Sequence, residues 1–130
     1  MGLDNGIIIK KINKEQINKI PDYINVEIYN DNKVEIAYWR KCWGIRNEIL
    51  DILHMNDYTY TKNIDIEDIP ALIKMLYNFL SENYWEENSD SIWEYEGMKE
   101  QLVQQIINLK WLYSFMKENN DIEVEFYDSY

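Results

Sequence analysis

The run Ala37-Tyr38-Trp39-Arg40-Lys41-Cys42-Trp43-Gly44-Ile45-Arg46-Asn47-Glu48-Ile49-Leu50-Asp51-Ile52-Leu53 constrains this chain more than any other stretch, because it reads as a helix with two unlike faces. Cys42, Ile45, Ile49 and Ile52 or Leu53 recur at spacings of three and four and predict an apolar stripe against a core. The other face gathers Tyr38, Trp39, Arg40, Lys41, Trp43, Arg46 and Asn47. Indole faces stack on flat or cationic groups and guanidinium forks grip anions at two points, so these residues form the candidate ligand-binding site. Gly44 inside such a helix costs about 1 kcal/mol and marks close approach of another group. The competing reading packs Trp39 and Trp43 under neighbouring strands and pairs the arginines with carboxylates.

The remaining segments predict what that helix packs against. Gly6 to Ile12 is β-branched and follows an Asp4-Asn5-Gly6 turn signal, which predicts a central strand. Asn13 caps a short helix over Lys14 to Ile20, stopped by Pro21. Tyr23 to Tyr29 and Lys33 to Ala37 alternate apolar with polar residues around Asn30-Asp31-Asn32, which predicts a hairpin leading into the Trp/Arg helix. After a helix end near His54, Tyr58 to Thr61 reads as a loop or short edge strand. Ile66 to Pro70 has the acids and proline of a helix entry, and Leu72, Met75, Leu76, Phe79 and Leu80 share one face of the helix to Asn83. Tyr84 to Ser91 reads as an acidic linker. Trp93, Leu102, Ile106, Leu109, Tyr113 and Met116 then mark the longest helix, and Ile122, Val124 and Phe126 give the closing strand one buried face. The expectation is a single α+β domain over residues 1–130, a mostly antiparallel sheet of four or five strands packed by about three helices.

One cysteine excludes an intramolecular disulfide, and no Cys/His cluster has the spacing of a zinc or iron-sulfur site, so no metal or other cofactor is expected. Without a signal sequence or a long apolar run, the chain is expected in the cytoplasm and off the membrane. The net charge of −11 is uneven: residues 1–50 hold eight Lys/Arg against seven Asp/Glu, and residues 51–130 hold five against seventeen. That balance opposes direct nucleic-acid binding but leaves room for a basic pocket in the first half.

Other chemistry is thinner. Asp121, Glu123 and Glu125 lie on one strand face, as a divalent-cation row or simply as its solvent side. Glu86, Glu87, Asp90, Glu94, Glu96 and Glu100 resemble a row of DNA phosphates, or a solvated helix face. Cys42 falls on the core stripe. His54 has no second histidine or serine at a recognisable spacing, and no phosphate loop, nucleophile elbow or dinucleotide fingerprint is present. A non-catalytic role is therefore expected, with no catalytic residues.

Met1-Gly2-Leu3-Asp4 before a strand, Ala37-Tyr38-Trp39-Arg40-Lys41, and the closing Glu125-Phe126-Tyr127-Asp128-Ser129-Tyr130 resemble a family of small uncharacterised phage and prophage proteins. Its members begin Met-Gly-Leu-Asp, carry a Tyr-Trp-Arg-Lys segment after a strand and end on an aromatic strand. This chain departs from the pattern at Asn5, Arg46, Asp128 and Tyr130. The resemblance implies a phage origin, hence action in the cytoplasm of an infected bacterium, and an accessory role such as countering host defence. The leading expectation is an anti-defence protein that sequesters a small nucleotide signal: Arg40, Lys41 and Arg46 meet phosphates, while Trp39, Trp43 and Tyr38 stack on a base. A homo-oligomer through the Leu102 to Met116 stripe accompanies it. The alternative is an acidic, DNA-mimicking inhibitor that binds a host defence protein through Glu86 to Glu100. A nucleotide-cleaving enzyme using Asp4 or His54 ranks last.

Overall fold

In the computed structural model, which describes residues 4–29, 32–40, 42–56, 60–82 and 92–129 and the side chains of all of these except 82 and 92–98, the β-branched N-terminal run forms the central strand β1 (Asp4–Lys11). Its core-side Ile7 and Ile9 are fully buried, as burial on both flanks of a central strand requires. Helix α1 (Lys14–Asn18) follows, and its start is fixed as the sequence predicts: Asn13 Oδ1 accepts from Gln16 N at 2.8 Å and Gln16 Oε1 from Asn13 N at 3.0 Å. Next come β2 (Glu27–Tyr29), β3 (Lys33–Arg40), α2 (Trp43–Ile52), β4 (Thr61–Asn63), a single 3₁₀ turn (Ile66–Asp68), α3 (Ile69–Glu82), α4 (Ile92–Glu118) and β5 (Glu123–Ser129). The five strands form one antiparallel sheet ordered β2-β3-β1-β5-β4, so the fold is α+β.

The core lies between one sheet face and the helices. Ile7, Ile9, Val34, Ile36, Trp39, Val124 and Phe126 from the strands meet Ile45 and Ile49 of α2, Leu72 and Leu76 of α3, and Leu102, Leu109 and Leu112 of α4. The other sheet face carries Gly6, Ile8, Glu35, Tyr38, Glu125 and Tyr127, set opposite one another by the register Gly6↔Tyr38, Gly6↔Tyr127, Ile8↔Glu35 and Ile8↔Glu125. Gly6 is required there: a Cβ on it would lie 2.5 Å from Cε1 of Tyr127, whose ring crosses β1.

Three expectations are corrected. The helix expected from Ala37 begins at Trp43, and Ala37 to Arg40 belong to β3. Ala37 and Trp39 point inward while Tyr38 and Arg40 are exposed, a two-residue alternation that the ladder Asp4↔Arg40 to Ile7↔Ala37 holds in place. Gly44 therefore sits in a first helical turn, where glycine costs little. The hairpin is lopsided, because the first strand shrinks to Glu27–Tyr29 and pairs only with Lys33 to Glu35. The apolar stripe of α4 is not an oligomer surface: Leu102, Ile106 and Leu109 are buried in the chain's own core, and Tyr113 and Met116 pack against it.

Helix α2 ends as a left-handed cap does. His54 takes φ 57° and Met55 N–H reaches back to Leu50 C=O at 2.8 Å, which leaves His54 a backbone role. Among the described residues no helix is long and apolar enough to cross a membrane.

Candidate functional site

The predicted Trp/Arg constellation divides along the strand-to-helix junction. Trp39 is 1% exposed, and its indole N–H donates to Gln105 Oε1 at 2.7 Å. Arg46, in the first turn of α2, is buried and grips Asp128 of β5 at two points: Nη2 to Oδ2 at 2.8 Å and Nε to Oδ1 at 2.9 Å. Asn5 donates its amide to the same carboxylate, while its own Oδ1 has no partner among the described residues. Trp39 and Arg46 are thus enclosed rather than open at a surface, the indole bonded to Gln105 and the guanidinium to Asp128.

The exposed members lie at one end of the sheet but are divided between its two faces. Tyr38 donates to Asp4, the indole of Trp43 lies 5.6 Å from the Arg46 guanidinium carbon and is 52% exposed, and Asn47 accepts from Arg46 Nη1 at 3.3 Å. Arg40 is exposed opposite Asp4, and Lys41 lies outside the described residues. Tyr60, 63% exposed, joins them, since its carbonyl accepts from Asp128 N–H at 2.8 Å. Tyr38, Trp43 and Tyr60 thus stand at the sheet end where β1 starts and β3 and β5 finish. Tyr38 and Arg40 belong to the sheet face away from α2, whereas Trp43, Asn47 and Tyr60 flank the Arg46–Asp128 pair on the helix side.

A second constellation was not singled out from the sequence. Gln101, Gln104, Gln105 and Asn108 recur at three- and four-residue spacing on α4, and that amide periodicity is the signal that could have found them. Beyond Glu35, strand β3 has no β2 neighbour, and the amides replace it. Asn108 Nδ2 donates to Ile36 O at 2.9 Å and to Asn25 O at 2.9 Å, and Gln101 and Gln105 both donate to Tyr38 O, at 2.6 and 3.0 Å. Gln104 Nε2 donates to Tyr23 O and Asn108 Oδ1. A bulge that turns both Ile36 and Ala37 inward opens a cleft along this edge, made of adjoining cavities of about 480 and 190 Å³ that share Asn25, Ile36, Ala37 and Tyr38.

At one end of the cleft stands Glu35, buried and held by Tyr127 Oη at 2.8 Å and Tyr29 Oη at 3.3 Å. Desolvation raises its carboxyl above the ordinary value, against the two phenol donors that lower it. The Tyr127 hydroxyl is pushed up in turn, first by its own burial and then by the adjacent Glu35.

The acidic groups of the sequence scatter. Glu125 pairs with Lys10 at 3.3 Å and Asp121 accepts from Gln16, while the acidic stretch from Glu86 to Glu96 lies outside the residues or side chains described. Cys42 is half-buried beside the core, its thiol raised by desolvation. Compared with known proteins, the chain matches no family model, no curated protein and no solved structure.

Proposed function

We propose that this chain is a non-catalytic binding protein that meets another protein through the rim formed by Trp43, Asn47 and Tyr60. One observation carries the reading: two large exposed aromatic side chains, Trp43 and Tyr60, flank the buried Arg46–Asp128 pair at one sheet end, Trp43 beside the Arg46 guanidinium and Tyr60 through its carbonyl on Asp128 N–H. Aromatic residues and arginine are what protein interfaces concentrate, and rings presented on a rigid base lose little entropy on binding. The Arg46–Asp128 pair supplies that base by tying α2 to β5.

In the setting that the sequence resemblance implies, the partner is a component of bacterial defence, occupied rather than chemically altered. The nucleotide-trap expectation loses Trp39 and Arg46 to the interior, and its exposed members Tyr38 and Arg40 stand on the other sheet face from Trp43 and Asn47. Affinity capture from host-cell lysate with wild type, Trp43→Ala and Tyr60→Ala, each verified as folded by circular dichroism, tests the proposal. A host protein retained by wild type and lost from both variants is expected. Equal retention by all three refutes the rim. Calorimetric binding of a cyclic or ADP-ribose-type nucleotide, abolished by Trp43→Ala with no protein captured, returns the trap.

A further inference from the structure

We infer that the solvent-facing stripe of α4 is a self-association surface, on which two copies of this chain pack their α4 helices antiparallel about a two-fold axis. This stripe lies opposite the one buried in the core. Its exposed residues Glu100, Val103, Ile107, Lys110 and Ser114 follow alternating steps of three and four, the spacing of a helix–helix seam. Val103 and Ile107 are 42% and 38% exposed, while Leu102, Ile106 and Leu109 supply the apolar face that the fold itself buries.

The order of the residues selects a second copy as the partner. Val103 and Ile107 lie two positions either side of Gln105, and Glu100 and Lys110 lie five positions either side. A two-fold axis crossing an antiparallel helix pair at that level sets Val103 opposite the partner's Ile107 and Glu100 opposite the partner's Lys110. Each contact then occurs twice, with the charge pairs about 7.5 Å along the helix from the centre, at about 1.5 Å per residue. A parallel pairing would instead set glutamate beside glutamate and lysine beside lysine, which like-charge repulsion disfavours.

The charges are placed for this contact within the single chain. Lys110 Nζ donates to Tyr77 Oη at 2.7 Å, which holds the ammonium beside the apolar pair, and Tyr77 of α3 is itself 43% exposed on that flank. Neither Glu100 nor Lys110 has an ion-pair partner among the described residues. A patch of this size falls below the roughly 1,200 Å² of stable interfaces, so the dimer is transient and forms at high protein concentration. The net charge of −11 opposes it at long range, and salt relieves that repulsion.

Sedimentation velocity of the full chain from about 10 μM to about 1 mM, in about 0.15 M salt, tests the inference. Wild type is expected to shift from monomer toward dimer across that range. Glu100→Lys and Lys110→Glu, each verified as folded by circular dichroism, should each weaken the dimer at least about tenfold. An equimolar mixture of the two variants should recover it, because the mixed pair again sets unlike charges opposite one another at both positions. Ile107→Gln should abolish it without charge reversal. Four outcomes overturn the inference: a monomer at every concentration, a dimer indifferent to both charge reversals, a mixture that stays monomeric, or a dimer lost on Trp43→Ala. The last would place self-association at the rim, so failure here is distinguishable from failure of the rim as a site for another protein.

Discussion

Replacing Arg46 by Met probes the contact on which both α2 and the rim depend. The guanidinium and its partner Asp128 have side chains 3% and 1% exposed, and the carboxylate accepts from Nη2 and Nε of Arg46 and from Asn5. Methionine keeps most of the volume but leaves the Asp128 charge in a dry site with only an amide donor from the described residues. Breaking a buried pair from one side costs about 3–5 kcal/mol, a large part of the roughly 5–15 kcal/mol that holds a domain of this size together. The corresponding fall in Tm is about 10–20 °C. Urea denaturation followed by tryptophan fluorescence measures the loss directly. Asp128→Asn should cost a similar amount, because it leaves the arginine unpaired. The double variant Arg46→Met, Asp128→Asn should cost clearly less than the two single losses together, since neither uncompensated charge remains. The reasoning is refuted if Arg46→Met lies within about 1 kcal/mol of wild type, the mark of a solvent-screened pair, or if the two losses simply add.

Glu35→Gln gives a pH signature. The folded state raises this carboxyl above its ordinary value of 4.5, so its contribution is present below that value and is lost as the pH rises through the raised one. The amide, uncharged throughout, should gain stability relative to wild type between pH 4 and pH 7, and a pH-independent difference would contradict the burial of the charge. Gln105→Leu removes the acceptor of Trp39 Nε1 and one of the two donors to Tyr38 O, and should destabilise the fold by about 1–3 kcal/mol in denaturant titration. Loss below about 0.5 kcal/mol would mean that water replaces the glutamine there.

Much of the architecture was legible before any coordinates. The β-branched run of β1, the Asn13 cap, the 3.6-residue stripes of α3 and α4 and the alternation of Val124 and Phe126 each rest on local periodicity, which depends on neighbours a few residues away. The site was less legible, because its residues owe their roles to partners distant in the chain. Trp39 and Trp43 look alike in sequence, yet one is sealed against Gln105 and the other faces solvent. The difference arises because pairing with β1 extends β3 to Arg40 and delays the helix to Trp43.

The amino-acid order alone determined that apolar residues at periods of two and near four would build a sheet covered by helices, since burial of those faces is the dominant favourable term whatever the partner. Tertiary structure decided which polar groups would be enclosed. Arg46 meets Asp128 across 82 positions of sequence, and Asn108 meets Ile36 across 72, so no local pattern could announce either contact. A desolvated charge or an unpaired strand edge must find its complement wherever the fold brings one within reach, and that proximity exists only once the sheet has closed.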